Sequence, residues 1–304
     1  MFRTIFIALS ESTMLRAVAE RSRIGRRLSS RFVAGMTVQD ALAATARTNA
    51  AGMTVSVDNL GENVTNVEEA SHSAALYREM LDEIAKRKLQ ANVSLKLTHM
   101  GLDVEEAVSR RIVAGLVSHA GELDNFVRVD MEGSSHTQKT LDIVRELHGR
   151  HPGRVGAVIQ SYLIRSEDDV RRLCAEGIRI RLCKGAYKEP AGIAFQAKED
   201  VDASFVRLMK IMLRSGVYHG IATHDPAMIE ATKAFARAEN ISPDSFEFQM
   251  LYGIRRDMQE GLVKDGWRMR VYIPFGTEWY PYLMRRLAER PANAIFILKN
   301  VFRR

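Results

Sequence analysis

The stretch VGAVIQSYLIRSEDDVRRLCAEGIRIRLCK, residues 155–184, decides the fold. It opens on a short run rich in valine and isoleucine, passes through a charged segment and closes on a second branched-aliphatic run. VGAVIQS (155–161) and IRIRLCK (178–184) read as strands, and SEDDVRRLCAEG (166–177) between them reads as a helix. Ser166 and Glu167 suit a helix N-terminus, and Gly177 suits its C-cap.

The same unit repeats in both directions. Further strand candidates are MTVSVD (53–58), NVSLKLT (92–98), FVRVDM (126–131), YHGIATH (218–224), FEFQML (246–251) and RMRVYIP (268–274). Helical patterns alternate with them, such as VEEASHSAALYREMLDEIAKRK (67–88) and SSHTQKTLDIVRELHG, which ends on Gly149. No Gly/Ser/Pro-rich linker divides the series. Eight βα units in succession predict an α/β fold of the closed (β/α)8 TIM-type barrel, which takes about 250 residues. The units fill roughly residues 50–292. A doubly wound sheet is the runner-up. The expected division is an N-terminal helical segment over 1–50 and a catalytic barrel domain over 51–304.

Composition sets outer bounds. The 304 residues are 46% hydrophobic and 27% charged, the profile of a folded domain, and no apolar run is long enough to span a bilayer. A net charge of +7 favours anionic ligands, nucleic acid or an anionic membrane surface without choosing among them. Cys174 and Cys183 form neither a metal pattern nor a disulfide framework, which favours a reducing compartment. The histidines show no metal-ligand spacing, so no metal is expected. The start, MFRTIFIALS and then LRAVAERSRIGRRLSSRF, leaves three readings open. These are structural helices, which take first place, a membrane-surface helix and a transit segment.

A barrel places its active site at the carboxyl ends of its strands. There stand Asp58, Lys96, Thr98, Asp130, Gln160, Tyr162, Arg181, Lys184, Thr223, His224, Gln249 and Tyr272. Arg181 and Lys184 suit a phosphate or an electron-rich ring, and Gly185 admits close backbone approach. Lys96 or Lys184 also suits a Schiff-base aldolase. No GxGxxG follows a strand and no GxxxxGK[ST] occurs, so a nucleotide would be held by strand ends and loops. In YPYLMRRLAER (280–290), Tyr282, Arg285/Arg286 and Glu289 fall at i, i+3/i+4 and i+7 along one helix side. Two guanidinium forks there would grip a carboxylate if the helix lay over the mouth.

The segments SLKLTHMGLD, VRVDMEGS, AVIQSYL, RLCKGAYKEP, IATHD, FEFQMLYG, VYIPFGTEW and YLMRRLAE, in that order over 52–294, resemble the proline dehydrogenase family in its short, monofunctional bacterial form. The last carries that family's Tyr-x-x-Arg-Arg-x-x-Glu pattern whole. The resemblance implies FAD-dependent oxidation of L-proline to Δ1-pyrroline-5-carboxylate, by hydride transfer from C5 to flavin N5, with electrons passed to a membrane quinone. It implies that Arg285 and Arg286 bind the proline carboxylate, and that Lys96, Asp130, Tyr187, Tyr272 and Glu289 complete the pocket lined by Leu182 and Ala186. It assigns Met131, Gln160, Arg181, Lys184, Gly185, Ala186, Thr223 and His224 to FAD, with Asp130 and Arg181 as the catalytic pair. It pairs Glu62 with Arg285 as a gate. The setting it implies is the bacterial cytoplasm with peripheral contact at the inner face of the membrane, and no nucleic acid. The other readings are the Schiff-base aldolase and a basic, non-catalytic protein bound to nucleic acid or membrane.

Overall fold

A computed structural model of the chain describes Ser22 and residues 29–289, with side chains as far as Met284. Eight parallel strands close into a barrel in sequence order: β1 (Thr54–Asn59), β2 (Ala91–Leu95), β3 (Val127–Val129), β4 (Val155–Gln160), β5 (Arg179–Cys183), β6 (His219–Ala222), β7 (Phe246–Leu251) and β8 (Met269–Phe275). The β1–β8 pairing, from Thr54 beside Arg270 to Asn59 beside Phe275, shuts the cylinder. All eight strand runs read from the sequence are present, β7 in full and the others trimmed or shifted by one to three residues at their ends. Closure excludes the doubly wound sheet.

Between the strands lie α2 (Val67–Lys86), α3 (Glu106–Glu122), α4 (Ser134–Arg150), α5 (Ser166–Ala175), α6 (Lys198–Arg214), α7 (Pro226–Ala238) and α8 (Arg256–Lys264). α1 (Val38–Ala50) precedes β1, and α9 (Trp279–Glu289) follows β8. Gly177 takes φ +72 just past the α5 cap, as its position predicts. Two local expectations fail. Ser166 does not cap α5 but donates its hydroxyl to the Gln160 carbonyl at 2.7 Å, and α4 runs through Gly149 to Arg150. Of the segment 1–50, the part before residue 29 lies outside the described residues, Ser22 apart; residues 38–50 form α1.

Successive residues of a strand face opposite sides. Outward-facing Val55, Val57, Val93, Leu95, Val127 and Val129, with their counterparts around the ring, pack against the helices as one apolar cluster. Inward positions are polar: Ser56, Asn92, Ser94, Arg128, Arg181, Glu247, Gln249 and Arg270. Most barrels fill this space with branched aliphatics. Charged groups survive burial when paired or fully hydrogen-bonded: Arg181 is ion-paired to Asp130 and Arg270 to Glu247, while Arg128 donates to the Ala157 and Arg179 carbonyls. Arg270 donates to Glu247 at 2.6 Å and to Asn92 at 2.7 Å, and Gln249 also donates to Glu247, at 2.6 Å.

α1 packs against both β8 and β1, so it occupies the flank that an eighth outer helix would fill. α9 instead joins a separate apolar cluster with Leu60, just past the end of β1, and with Phe32 and Val33. That contact puts it at the carboxyl end of β1.

Candidate active site

The floor of the mouth is built around Arg181, which is 6% exposed. Its guanidinium donates to Asp130 Oδ1 at 2.7 Å, to Gln249 Oε1 at 2.5 Å, to Ser94 Oγ at 3.1 Å and to Ser56 Oγ at 3.2 Å. Five strands thus fix one side chain. Asp130 takes two further bonds, from Ser94 Oγ and from the Tyr272 hydroxyl, both at 2.8 Å. The Tyr272 ring lies 5.1 Å from the Arg181 guanidinium carbon. Burial, with Asp130 and Asp58 nearby, pushes the Tyr272 phenol well above its ordinary range, so it remains a donor.

Beside this network, Lys96 Nζ meets Asp58 Oδ2 at 3.4 Å. Burial alone would push the Lys96 ammonium down, but Asp58, then Asp130 and Glu62, outweigh it and the pKa is raised. Burial also raises the Asp58 carboxyl against the pull of Lys96. Tyr77 reaches in from the outer helix α2. Its hydroxyl lies 2.8 Å from the Ser94 carbonyl and 3.2 Å from Asp58 Oδ1, and accepts from the Asn59 amide at 3.1 Å. Asp58 and Gln249 stood in the ring of strand ends with no role given to them, and Ser94, Ser56 and Tyr77 were missed as site residues from sequence. The first four carry one available signal, a polar residue at every second position of an apolar strand. Tyr77 carries none, because it sits on the apolar face of a helix.

The rim is held by a different set. Lys184 is ion-paired to Asp225 at 2.7 Å and to Asp202, and Asp225 caps α7. Thr223 accepts from the Asp225 amide at 3.1 Å, and His224 Nε2 accepts from the Leu251 amide at 2.9 Å. Glu189 accepts from the Ser134 amide at 2.7 Å and hydroxyl at 2.6 Å, tying the β5–α6 loop to the start of α4. A Cβ on Gly185 would overlap the Tyr162 ring, so the chain there lies flush against it. Among the described residues, Gln160 Oε1 and the Tyr162 hydroxyl are buried without a hydrogen-bond partner. Met131 is buried next to Asp130, Leu182 is fully buried within the main apolar cluster, and Ala186 and Tyr187 are exposed on the loop. Glu62 is half-buried, close enough to raise Lys96. The structure thus joins Asp130, Arg181 and Tyr272 directly, and brings Lys96 beside them through Asp58. The Arg285, Arg286 and Glu289 side chains lie outside those described, while the start of their helix, α9, packs against Leu60 at the carboxyl end of β1.

A Schiff-base lysine must shed its proton readily. Lys96 is held as an ammonium and Lys184 is clamped between two carboxylates, so this site does not support the aldolase reading.

The proline dehydrogenase family model matches residues 41–299, nearly the whole barrel. The chain belongs to the proline dehydrogenase family. It is 41% identical to proline dehydrogenase 1 of Bacillus subtilis strain 168 over 306 residues, covering 100% of both chains. It is 35% identical to the proline dehydrogenase of Deinococcus radiodurans, covering 100% of this chain and 98% of that one. Among solved structures, a proline utilization A protein from Bdellovibrio bacteriovorus, inactivated by N-propargylglycine, superposes with a TM-score of 0.85 at 25% identity. That match covers 98% of this chain and 37% of the larger protein. Proline dehydrogenases are oxidoreductases of proline catabolism, and the match in length is to the short, monofunctional members.

Proposed function

We propose that this enzyme oxidises L-proline to Δ1-pyrroline-5-carboxylate with FAD bound at the barrel mouth, and passes the electrons to a membrane quinone. The observation that carries the reading is the buried Arg181–Asp130–Tyr272 network at the carboxyl ends of the strands. Metal-free oxidation of an amine needs a clamped substrate and an electron acceptor beside a fixed cation. FAD, when bound, would supply that acceptor, its N5 receiving the hydride of proline C5.

The residues present fit the group. Gln160 Oε1 and the Tyr162 hydroxyl are buried polar atoms lacking partners, which a polar heterocycle bearing donors and acceptors would satisfy. Arg181, rigidly held and desolvated, stabilises negative charge that develops above it. Met131, Lys184, Gly185, Ala186, Thr223 and His224 complete the cofactor side. On the substrate side, Arg285 and Arg286 of α9 grip the carboxylate, and Lys96, Tyr187, Tyr272 and Glu289 orient the ring, with Ala186 against it; Leu182, which alternates with Arg181 on β5, packs outward into the apolar cluster instead. Asp130 holds Arg181 and the Tyr272 hydroxyl in register. Glu62 and Arg285 form a gate over the site.

No helix among the described residues is long and apolar enough to cross a membrane. Delivery of electrons to a quinone then takes place at a membrane surface from the bacterial cytoplasm, which the net charge of +7 favours. Protein purified with FAD should be yellow and should bleach anaerobically on adding L-proline. A colourless protein that takes up no flavin would overturn the proposal.

A further inference from the structure

The strand β7 accompanies β8 only as far as Leu251 beside Tyr272. Beyond that point the chain from Arg31 to Gly35 takes its place. The Ala34 amide donates to the Pro274 carbonyl at 2.9 Å, and the Gly276 amide donates to the Gly35 carbonyl at 2.9 Å. This strap also fixes Gly253, where β7 turns away with φ +74, because a Cβ there would overlap the Arg31 carbonyl oxygen. Val33, only 3% exposed, packs into the cluster of Leu60, Trp279, Tyr282 and Leu283, with Phe32 against it. Thr37 and Asp40 then form a capping box that fixes where the strap enters α1. The strap is therefore clamped to β8 by backbone bonds while its apolar side chains carry α9.

We propose that residues 31–35 are the seat that sets the position of α9 over the mouth, with Val33 and Gly253 as positioning residues for substrate carboxylate binding. This rests on the reading of α9 as the carboxylate-binding helix. Displacing a binding helix by a fraction of an ångström weakens substrate affinity while leaving chemistry on bound substrate largely intact.

Two variants disturb the seat from opposite sides: Val33→Asp buries a charge against α9, and Gly253→Ala pushes the Arg31 carbonyl away. Each should raise KM for proline by at least about tenfold, with kcat within about twofold and flavin content unchanged. Amide hydrogen exchange over residues 279–284 should accelerate by about tenfold or more, while exchange in β1–β8 stays at wild-type rates. Unchanged KM and unchanged exchange in both variants would overturn the proposal. Faster exchange with unchanged KM would overturn the assignment of α9 to the carboxylate and leave the seat standing. Exchange needs no turnover, so it decides the seat even for a protein that fails to oxidise proline.

Discussion

At the scale of single residues, the site depends on groups whose partners are far away in sequence. Tyr77 donates and accepts at the junction of β1 and β2, within reach of Asp58 Oδ1. Tyr77→Phe strands the buried Asn59 amide and removes one of the groups around the Asp58 carboxylate. It should cost about 1–3 kcal/mol of stability, read from denaturant unfolding, and should lower proline turnover by loosening Lys96. A variant as stable and as active as wild type would show that the hydroxyl supports nothing. Asp130→Ala leaves Arg181 charged, buried and short of its closest counter-ion. Stability should fall by about 3–5 kcal/mol, with loss of proline-dependent flavin bleaching. Arg286→Met should instead raise KM for proline with flavin still bound. Unchanged kinetics there would remove the carboxylate clamp.

At the scale of elements, the interface of β6 with α5 and α6 holds a second buried histidine system that has no part in the chemistry. His219 Nδ1 accepts from the Ile180 amide at 3.0 Å, and its Nε2 faces Ser215 Oγ at 3.0 Å and Cys174. Burial, then Arg128, pushes its pKa from 6.5 to about 3. The ring is neutral in the fold and protonates in the unfolded chain below pH 6.5. Its stabilisation is therefore complete above that pH and is lost as pH falls toward 3. Between pH 7 and pH 5 this one group should remove about 2 kcal/mol, and His219→Asn should flatten that part of the stability profile. An equal pH dependence in the variant would assign the loss to other groups. The elements also show what sequence reveals. Strands were legible because their outer faces are almost wholly apolar, built from Val, Ile, Leu, Phe and Met, with His219 as the exception. The strap was not, because Arg31 to Gly35 has neither period and its bonds go to Pro274 and Gly276, at the far end of the chain.

At the scale of the whole molecule, the barrel and its count of strands could be read in advance, as could the ring of polar strand ends. The interior could not. Arg181 meets Ser56 and Ser94 across 125 and 87 residues of sequence, and no local pattern announces such a pairing. The order of assembly among Arg181, Asp130, Gln249 and Tyr272 is a property of the closed cylinder. Net charge, by contrast, belongs to the molecule as a whole. If that charge brings the enzyme to a membrane, cosedimentation with anionic vesicles should be strong at low salt and lost near 0.5 M, where screening acts within about 4–5 Å. Equal binding to neutral vesicles would show that charge is not the cause.

The flank of β8 and β1 is closed by α1, and this has a consequence in time. The residues Ala41, Leu42 and Ala44 emerge early, but part of the surface against which their helix packs is β8, which begins at Met269. At about 5–20 residues per second, the ribosome takes about 10–45 s to travel from the end of α1 to that strand. Through that interval the first helix, covered by β1 and α2, lacks its cover from β8, and the nascent chain cannot close.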